Sequence, residues 1–206
     1  MNVHVERFVT GPIETNTYLV ADDSGDCIII DPSSGLDEII RFISEEQITP
    51  RAIVATHGHF DHIGGIPELI AVYPALPVYI HPGERELLRD PVQNMSVILG
   101  INFSYTGEIR DLEEGPFSIG ALSGTVFLIP GHSPAGCALL IGNFLLCGDI
   151  LFAGSIGRTD FPGGSQVRLI AGIREKLLPL DDAVVVCPGH MGRTTIGRER
   201  RMNPYL

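Results

Sequence analysis

Five of the seven histidines in this 206-residue chain stand where a metal centre would want them. Thr56-His57-Gly58-His59-Phe60-Asp61-His62 places three imidazoles and a carboxylate within six positions. Imidazoles held that close repel one another as cations unless they stay neutral around something positive. A bound metal is the usual resolution, because it takes deprotonated imidazole nitrogens and carboxylate oxygens. His132 in Pro130-Gly131-His132-Ser133, Asp149 after Gly148, and His190 in Pro188-Gly189-His190 extend the set. Seven nitrogen and oxygen donors are enough to hold a pair of divalent ions. Such ligation accepts zinc, iron or manganese, with zinc as the first expectation. Metal ions of this kind lower the pKa of a bound water enough to leave hydroxide at neutral pH, which is itself a nucleophile. No serine or cysteine nucleophile is then required, and Gly131-His132-Ser133 lacks the G-x-S-x-G elbow. A closed structural zinc site is the non-catalytic alternative, but such sites are usually four-coordinate.

Each donor needs the end of an element to hold it. Arg51 to Thr56 is a short apolar run of the kind that makes a buried strand, and Ile66 to Tyr73, after Gly64-Gly65, reads as a helix. Val126 to Ile129, Phe144 to Cys147 and Ala183 to Cys187 run in the same way into His132, Asp149 and His190. Strand C-termini are where open α/β sheets place their sites. Upstream, Val3 to Val9, Thr17 to Ala21 and Cys27 to Ile30 read as strands, the last ending at Asp31-Pro32. A helix is expected over Leu36 to Glu46, capped by Ser33 or Ser34, with Ile39, Ile40 and Ile43 on one face. Further on come a strand at Val78 to Ile80, a helix near Pro82 to Arg89, and an irregular stretch, Asp90 to Tyr105, expected to cover part of the site. Strands near Glu108 to Leu112, Phe117 to Leu122 and Gly124 to Ile129 follow. Gly136 to Ile141 and Phe144 to Cys147 should pair through a turn at Gly142-Asn143, and Ser165 to Leu178 should be a helix. Strand-rich halves with helices between them predict two packed sheets with helices outside. With no linker or repeat in view, residues 1–206 are expected to form one domain.

Composition narrows the partners. Fourteen Lys and Arg against 25 Asp and Glu give a formal charge of −11. That balance disfavours a nucleic acid or an anionic membrane and leaves a small molecule as the expected partner. Cys27, Cys137, Cys147 and Cys187 lie in apolar runs without a C-x-x-C pair, as expected for buried reduced thiols. Neither a secretory signal nor an apolar run of membrane-spanning length is evident, so the expected location is cytoplasmic. His4 and His81 are read as structural.

With these residues in hand, the chain resembles the metallo-β-lactamase superfamily over nearly its whole length. The resemblance implies an α+β fold, an αββα sandwich of two mixed β-sheets flanked by helices, with the metal site along one edge. It implies that His57, His59 and His132 hold a first metal, that Asp61, His62 and His190 hold a second, and that Asp149 bridges both. Asp31 would support the ligand loop from behind. Gly148-Asp149-Ile150-Leu151-Phe152, Gly157-Arg158-Thr159-Asp160-Phe161 and the terminal Asn203-Pro204-Tyr205-Leu206 are similar to the glyoxalase II (hydroxyacylglutathione hydrolase) branch. That implies thioester substrates of the hydroxyacyl-glutathione type, with Asp149 and Asp61 in the catalytic centre and Arg158 facing a substrate carboxylate or pairing with Asp160. The C-terminal helical domain that completes the glutathione pocket in full glyoxalase II has no counterpart in these 206 residues. Persulfide dioxygenases, which hold one iron through equivalents of His57, His132 and Asp149, share the Gly-Arg-Thr-Asp-Phe stretch and are the rival reading. A lactonase or β-lactamase is a further alternative.

Overall fold

The computed structural model describes residues 2–206. Six strands form the first sheet in simple sequence order: β1 (Val3–Thr10), β2 (Thr15–Asp22), β3 (Asp26–Ile30), β4 (Thr49–Val54), β5 (Val78–Ile80) and β6 (Arg110–Asp111). β1, β2 and β3 pair antiparallel, while β3 through β6 run parallel. The second sheet contains β7 (Gly115–Ile119), β8 (Leu122–Leu128), β9 (Cys137–Ile141) and β10 (Phe144–Gly148). A short ribbon, β11 (Leu151–Phe152) with β12 (Ser155–Ile156), stands apart from both sheets. β13 (Val185–Pro188) and β14 (Thr194–Thr195) complete the second sheet, whose order is β14-β13-β10-β9-β8-β7. Only the β10–β13 pair is parallel there.

Alternation along fully buried strands builds four layers. In β3, Ile28 and Ile30 face the second sheet, where they meet residues such as Leu139, Leu146 and Cys187. Cys27 and Ile29 point the other way, towards α1 (Asp37–Glu45) and α3 (Ile66–Val72), against Ile39, Ile43, Ile66 and Leu69. β10 repeats the device: Leu146 faces the first sheet, while Leu145 and Cys147 meet Leu169 and Ile173 on the far side. Period-two alternation with both faces apolar is why these strands read as continuous hydrophobic runs. The result is the expected αββα sandwich, and all four cysteines are buried and unpaired. Among the described residues, no helix is long and apolar enough to cross a membrane.

Several elements differ from expectation. Neither Ser33 nor Ser34 caps α1, because Leu36 holds the cap position without a side-chain bond. The Glu68 carboxylate of α3 accepts the Gly35 and Leu36 amides instead, at 3.1 and 3.0 Å. The helix expected over Pro82 to Arg89 is a 3₁₀ turn (Pro82–Glu84) followed by α4 (Arg85–Arg89). Ser165 to Leu178 divides into α5 (Gln166–Gly172), capped by the Ser165 hydroxyl, and a wider π turn over Ile173–Leu177. Glu108 to Leu112 supplies only the two residues of β6, and the expected Phe117–Leu122 strand is divided by a turn at Gly120 between β7 and β8. β11, β12, β14 and α6 (Ile196–Met202) were not foreseen. The hairpin at Gly142-Asn143 is present, with Gly142 in the left-handed region. His4 is exposed beside Asp23, His81 accepts the Gly83 amide to start the 3₁₀ turn, and neither stands in a donor set.

Candidate metal centre

All seven expected donors gather at one edge of the sandwich, on the segments that follow four of its strands. The first sheet contributes the loop after β4, which carries His57 and His59 and runs into the one-turn α2 (Phe60–Ile63) bearing Asp61 and His62. The second sheet contributes His132 after β8, Asp149 after β10 and His190 after β13. Three donor sets converge with ligand atoms within 4.8 Å of one another: His57, His59 and His132; His57, His62 and Asp149; and Asp61, His62 and His190. Asp149 lies between them, one oxygen 3.5 Å from His62 Nε2 and the other 3.7 Å from both His132 Nε2 and His190 Nε2.

In four of the five rings the outward nitrogen is tied to the scaffold, which turns the other inward, whereas His59 Nε2 is buried without a partner. His57 Nδ1 lies 3.1 Å from Thr56 Oγ1, His132 Nδ1 donates to the Arg158 carbonyl at 2.9 Å, and His62 Nδ1 donates to Asp31 at 3.0 Å. His190 Nδ1 faces the Glu14 carbonyl at 3.4 Å. The Nε2 atoms of these four therefore face the cluster, whereas His59 presents Nδ1, 2.9 Å from His132 Nε2. Ring nitrogens fixed from behind in this way are characteristic of metal-ligating histidines.

Electrostatics agrees with a metal-binding role. Burial, reinforced by neighbouring imidazoles, pulls His57 well below the usual imidazole range and His59 down to about 3. Burial also lowers His132, so these three rings are neutral and able to ligate. Burial would likewise lower His62, but the surrounding carboxylates of Asp61, Asp31 and Asp149 raise it well above its ordinary value. Burial would raise Asp61, yet His62 and His190 hold it well below the carboxylate range. Carboxylates crowded around one ring demand positive charge at the centre. His62 Nε2 and Asp149 Oδ1 are buried without a hydrogen-bond partner, as expected of atoms made to face a cation. The residues present therefore fit a divalent-metal site.

Asp31 sits where the sequence predicts, behind the ligand loop. Its carboxylate accepts the Thr56 amide and hydroxyl, both at 2.7 Å, and the His62 ring. Arg158 reaches the rim of the same cavity, but its guanidinium forms two 2.7 Å bonds to Asp160 and lies 4.0 Å above the Phe161 ring. The pairing with Asp160 is one of the two roles expected for it.

Other contributors carry no local signal in the sequence. Thr15 donates to Asp61 at 3.1 Å, and Asn16 and Tyr18 bond the Pro188 carbonyl at 2.9 and 2.8 Å, holding the His190 loop to β2. Fully buried Glu84 joins the two ligand loops: one oxygen accepts the Gly58 amide at 2.9 Å, and the other accepts Ser133 Oγ at 2.7 Å and the Ala135 amide at 2.5 Å. Ser133 is thus a loop anchor. A cavity of about 580 Å³ opens over His59, Asp61, His132, Asp149 and His190. The larger groove, about 770 Å³ at the other end of β4, contains no metal-ligating side chain.

Comparison with known proteins agrees with this geometry. The family model of the metallo-beta-lactamase superfamily matches residues 10–190. Hydroxyacylglutathione hydrolase GloC of Haemophilus influenzae is 31% identical over 216 residues, which cover 99% of this chain and 98% of that relative. Among solved structures, the BLEG-1 B3 metallo-beta-lactamase superposes with a TM-score of 0.94 at 38% identity, covering 98% of this chain and 99% of the other. TTHA1623 in a di-iron-bound form superposes with a TM-score of 0.88 at 35% identity, covering 98% and 100%.

Proposed function

We propose, starting from the fact that this chain belongs to the metallo-β-lactamase superfamily, that it is a binuclear hydrolase of thioesters, with hydroxyacyl-glutathione as the first substrate to test. The observation that carries the reading is the convergence of two His-rich donor sets on either side of Asp149, at the floor of an open cavity. His57, His59 and His132 would hold one divalent ion, Asp61, His62 and His190 the other, and Asp149 both. Zinc and iron each suit this nitrogen and oxygen set, and the di-iron form of TTHA1623 keeps iron in contention. When bound, such ions supply hydroxide from water at neutral pH and polarise an acyl carbonyl.

The chain's own groups do the positioning. Asp61 is fixed by Thr15 and His190, both 3.1 Å from its Oδ2, so the carboxylate cannot swing towards solvent. Phe161 packs edge-on near His59, with ring centroids 5.4 Å apart, and forms part of the cavity wall. A thiolate leaving group needs little proton assistance, because its pKa is about 8.5. That is consistent with a cavity whose only imidazoles belong to the donor sets. The end-to-end match with GloC, named a hydroxyacylglutathione hydrolase, supports thioester chemistry.

Two other readings compete. A persulfide dioxygenase using one iron at His57, His132 and Asp149 would leave the convergence of Asp61, His62 and His190 unexplained. A β-lactam substrate is favoured by one observation, the likeness to BLEG-1. Metal-loaded protein should therefore be assayed side by side on S-lactoylglutathione, a chromogenic β-lactam and glutathione persulfide with an oxygen electrode. Thioester cleavage that disappears in His59→Ala, with the circular-dichroism spectrum unchanged, is the expected result. Oxygen uptake, or lactam cleavage without thioester cleavage, would overturn it.

A further inference from the structure

The cavity has a wall that metal ligation does not explain. Around residues 94–99 the usual order of polar and apolar groups is reversed. Asn94 and Ser96 are fully buried, and their side chains are spent on local structure. Asn94 accepts the Ser96 amide and donates to the Phe103 carbonyl, both at 3.0 Å, while Ser96 Oγ accepts the Phe103 amide at 3.2 Å. Val97, Ile98 and Leu99 are instead 43%, 65% and 40% exposed. Solvation alone would favour the opposite arrangement.

The backbone enforces this presentation. The Ser96–Leu99 turn is flanked by left-handed residues, Met95 at φ +67° and Gly100 at φ +71°. The Asn94 carbonyl accepts the Phe60 amide at 2.8 Å, which ties the segment directly to the helix carrying Asp61 and His62. Met95, Ile98 and Leu99 line the cavity with Ile13, Phe60 and Phe161, so the apolar wall is continuous with the donor cluster. Among the described residues that line the cavity, Arg158 is the only arginine or lysine, and Asp160 already balances its charge. A substrate carboxylate therefore finds no unpaired side-chain cation along this wall, whereas an aliphatic chain finds a ready surface.

We infer that this wall binds the acyl chain of the substrate, and that the preferred thioesters carry aliphatic acyl groups, beyond small hydroxyacyl groups. The inference rests on the hydrolase reading above and assigns specificity to Met95, Ile98 and Leu99. Acyl thioesters from two to eight carbons, on both glutathione and the uncharged N-acetylcysteamine, provide the test. We expect kcat/KM to rise about two- to fourfold per methylene until the cavity is filled, with equal slopes on the two leaving groups. Non-hydrolysable S-alkyl thioethers of both thiols give a second readout: Kd by calorimetry should tighten with alkyl length in the same proportion. Ile98→Asp, at a site exposed enough for the fold to tolerate it, should flatten both series, with folding checked by circular dichroism.

A flat series in the wild type, or an unchanged slope in Ile98→Asp, would overturn the inference. So would thioether binding that depends on the glutathione carboxylates and not on the alkyl chain. Length-dependent thioether binding without turnover of any thioester would sink the hydrolase reading and leave the wall standing. Turnover at equal kcat/KM for every chain length would do the reverse.

Discussion

Asp31 shows how a single residue can hold several constraints. It sits at φ +52°, a left-handed conformation that Asp and Asn tolerate better than other side chains. From there its two oxygens accept three hydrogen bonds, from Thr56 and His62. Asp31→Asn preserves shape and backbone preference but replaces one acceptor with an amide donor facing other donors. We expect metal affinity to fall about 10- to 100-fold, as for other groups that orient a ligand from behind, measured by competition with a chromogenic chelator. Unchanged affinity would show that His62 needs no such support. Gly189 is constrained by space instead. A β-carbon there would overlap Asp149 Oδ1 and His62 Cε1, and its amide bond to the Gly148 carbonyl at 2.8 Å prevents retreat. Gly189→Ala should cost about 1–3 kcal/mol by overpacking and should also lower the bound-metal stoichiometry, read by denaturant unfolding and elemental analysis. A variant with full stability and two ions per chain would refute this. The donors themselves were legible in the sequence, because ligation demands particular residue types. Thr15 and Asn16 were not, since their function lies wholly in what distant backbone brings near.

Elements were legible where both faces are buried. Cys27 to Ile30 and Phe144 to Cys147 are apolar without interruption, and short buried strands are the economical explanation. Thr194 to Met202 escaped because it is polar by composition. There α6 buries little beyond Ile196 and spends Glu199 on Thr194 Oγ1 at 2.6 Å and the Gly154 amide at 2.7 Å. Glu84 escaped for the same reason: in sequence it resembles a surface charge on a short helix. It instead joins the loop after β4 to the loop after β8 through three donors. Glu84→Gln must point an amide donor at one of those donors, so we expect a loss of about 1–3 kcal/mol. Burial raises the Glu84 carboxyl, although its three donors act in the opposite direction. Its contribution is therefore complete below the unfolded value of 4.5 and declines as pH rises through the higher folded value. The stability gap between wild type and Glu84→Gln should narrow as pH increases over that window. Denaturant titrations of both proteins from pH 4 to 7 test this, and a gap that widens with pH would contradict it.

For the whole molecule, the centre acts as a clasp between halves. One sheet brings Asp31 and the His57–His62 segment, and the other brings His132, Asp149 and His190. The apolar core between the sheets contains Ile28, Val54, Leu139 and Leu146, so the sandwich has a hydrophobic reason to form without any ion. Its ligand edge differs, because three carboxylates crowd the buried His62 ring there and leave a demand for positive charge. A ligand that binds only the folded state stabilises it by about 2.7 kcal/mol at a hundredfold excess over Kd. Chelation should therefore lower the melting temperature by several degrees while the far-ultraviolet circular-dichroism spectrum is retained. Amide exchange should then quicken in residues 55–62, 130–135 and 188–191, with the β3 and β9 cores still protected. Exchange that quickened evenly across both sheets would instead mean that the ions hold the entire sandwich together. Equal melting temperatures with and without chelator, in protein shown by elemental analysis to have contained metal, would mean that the clasp contributes nothing to folding.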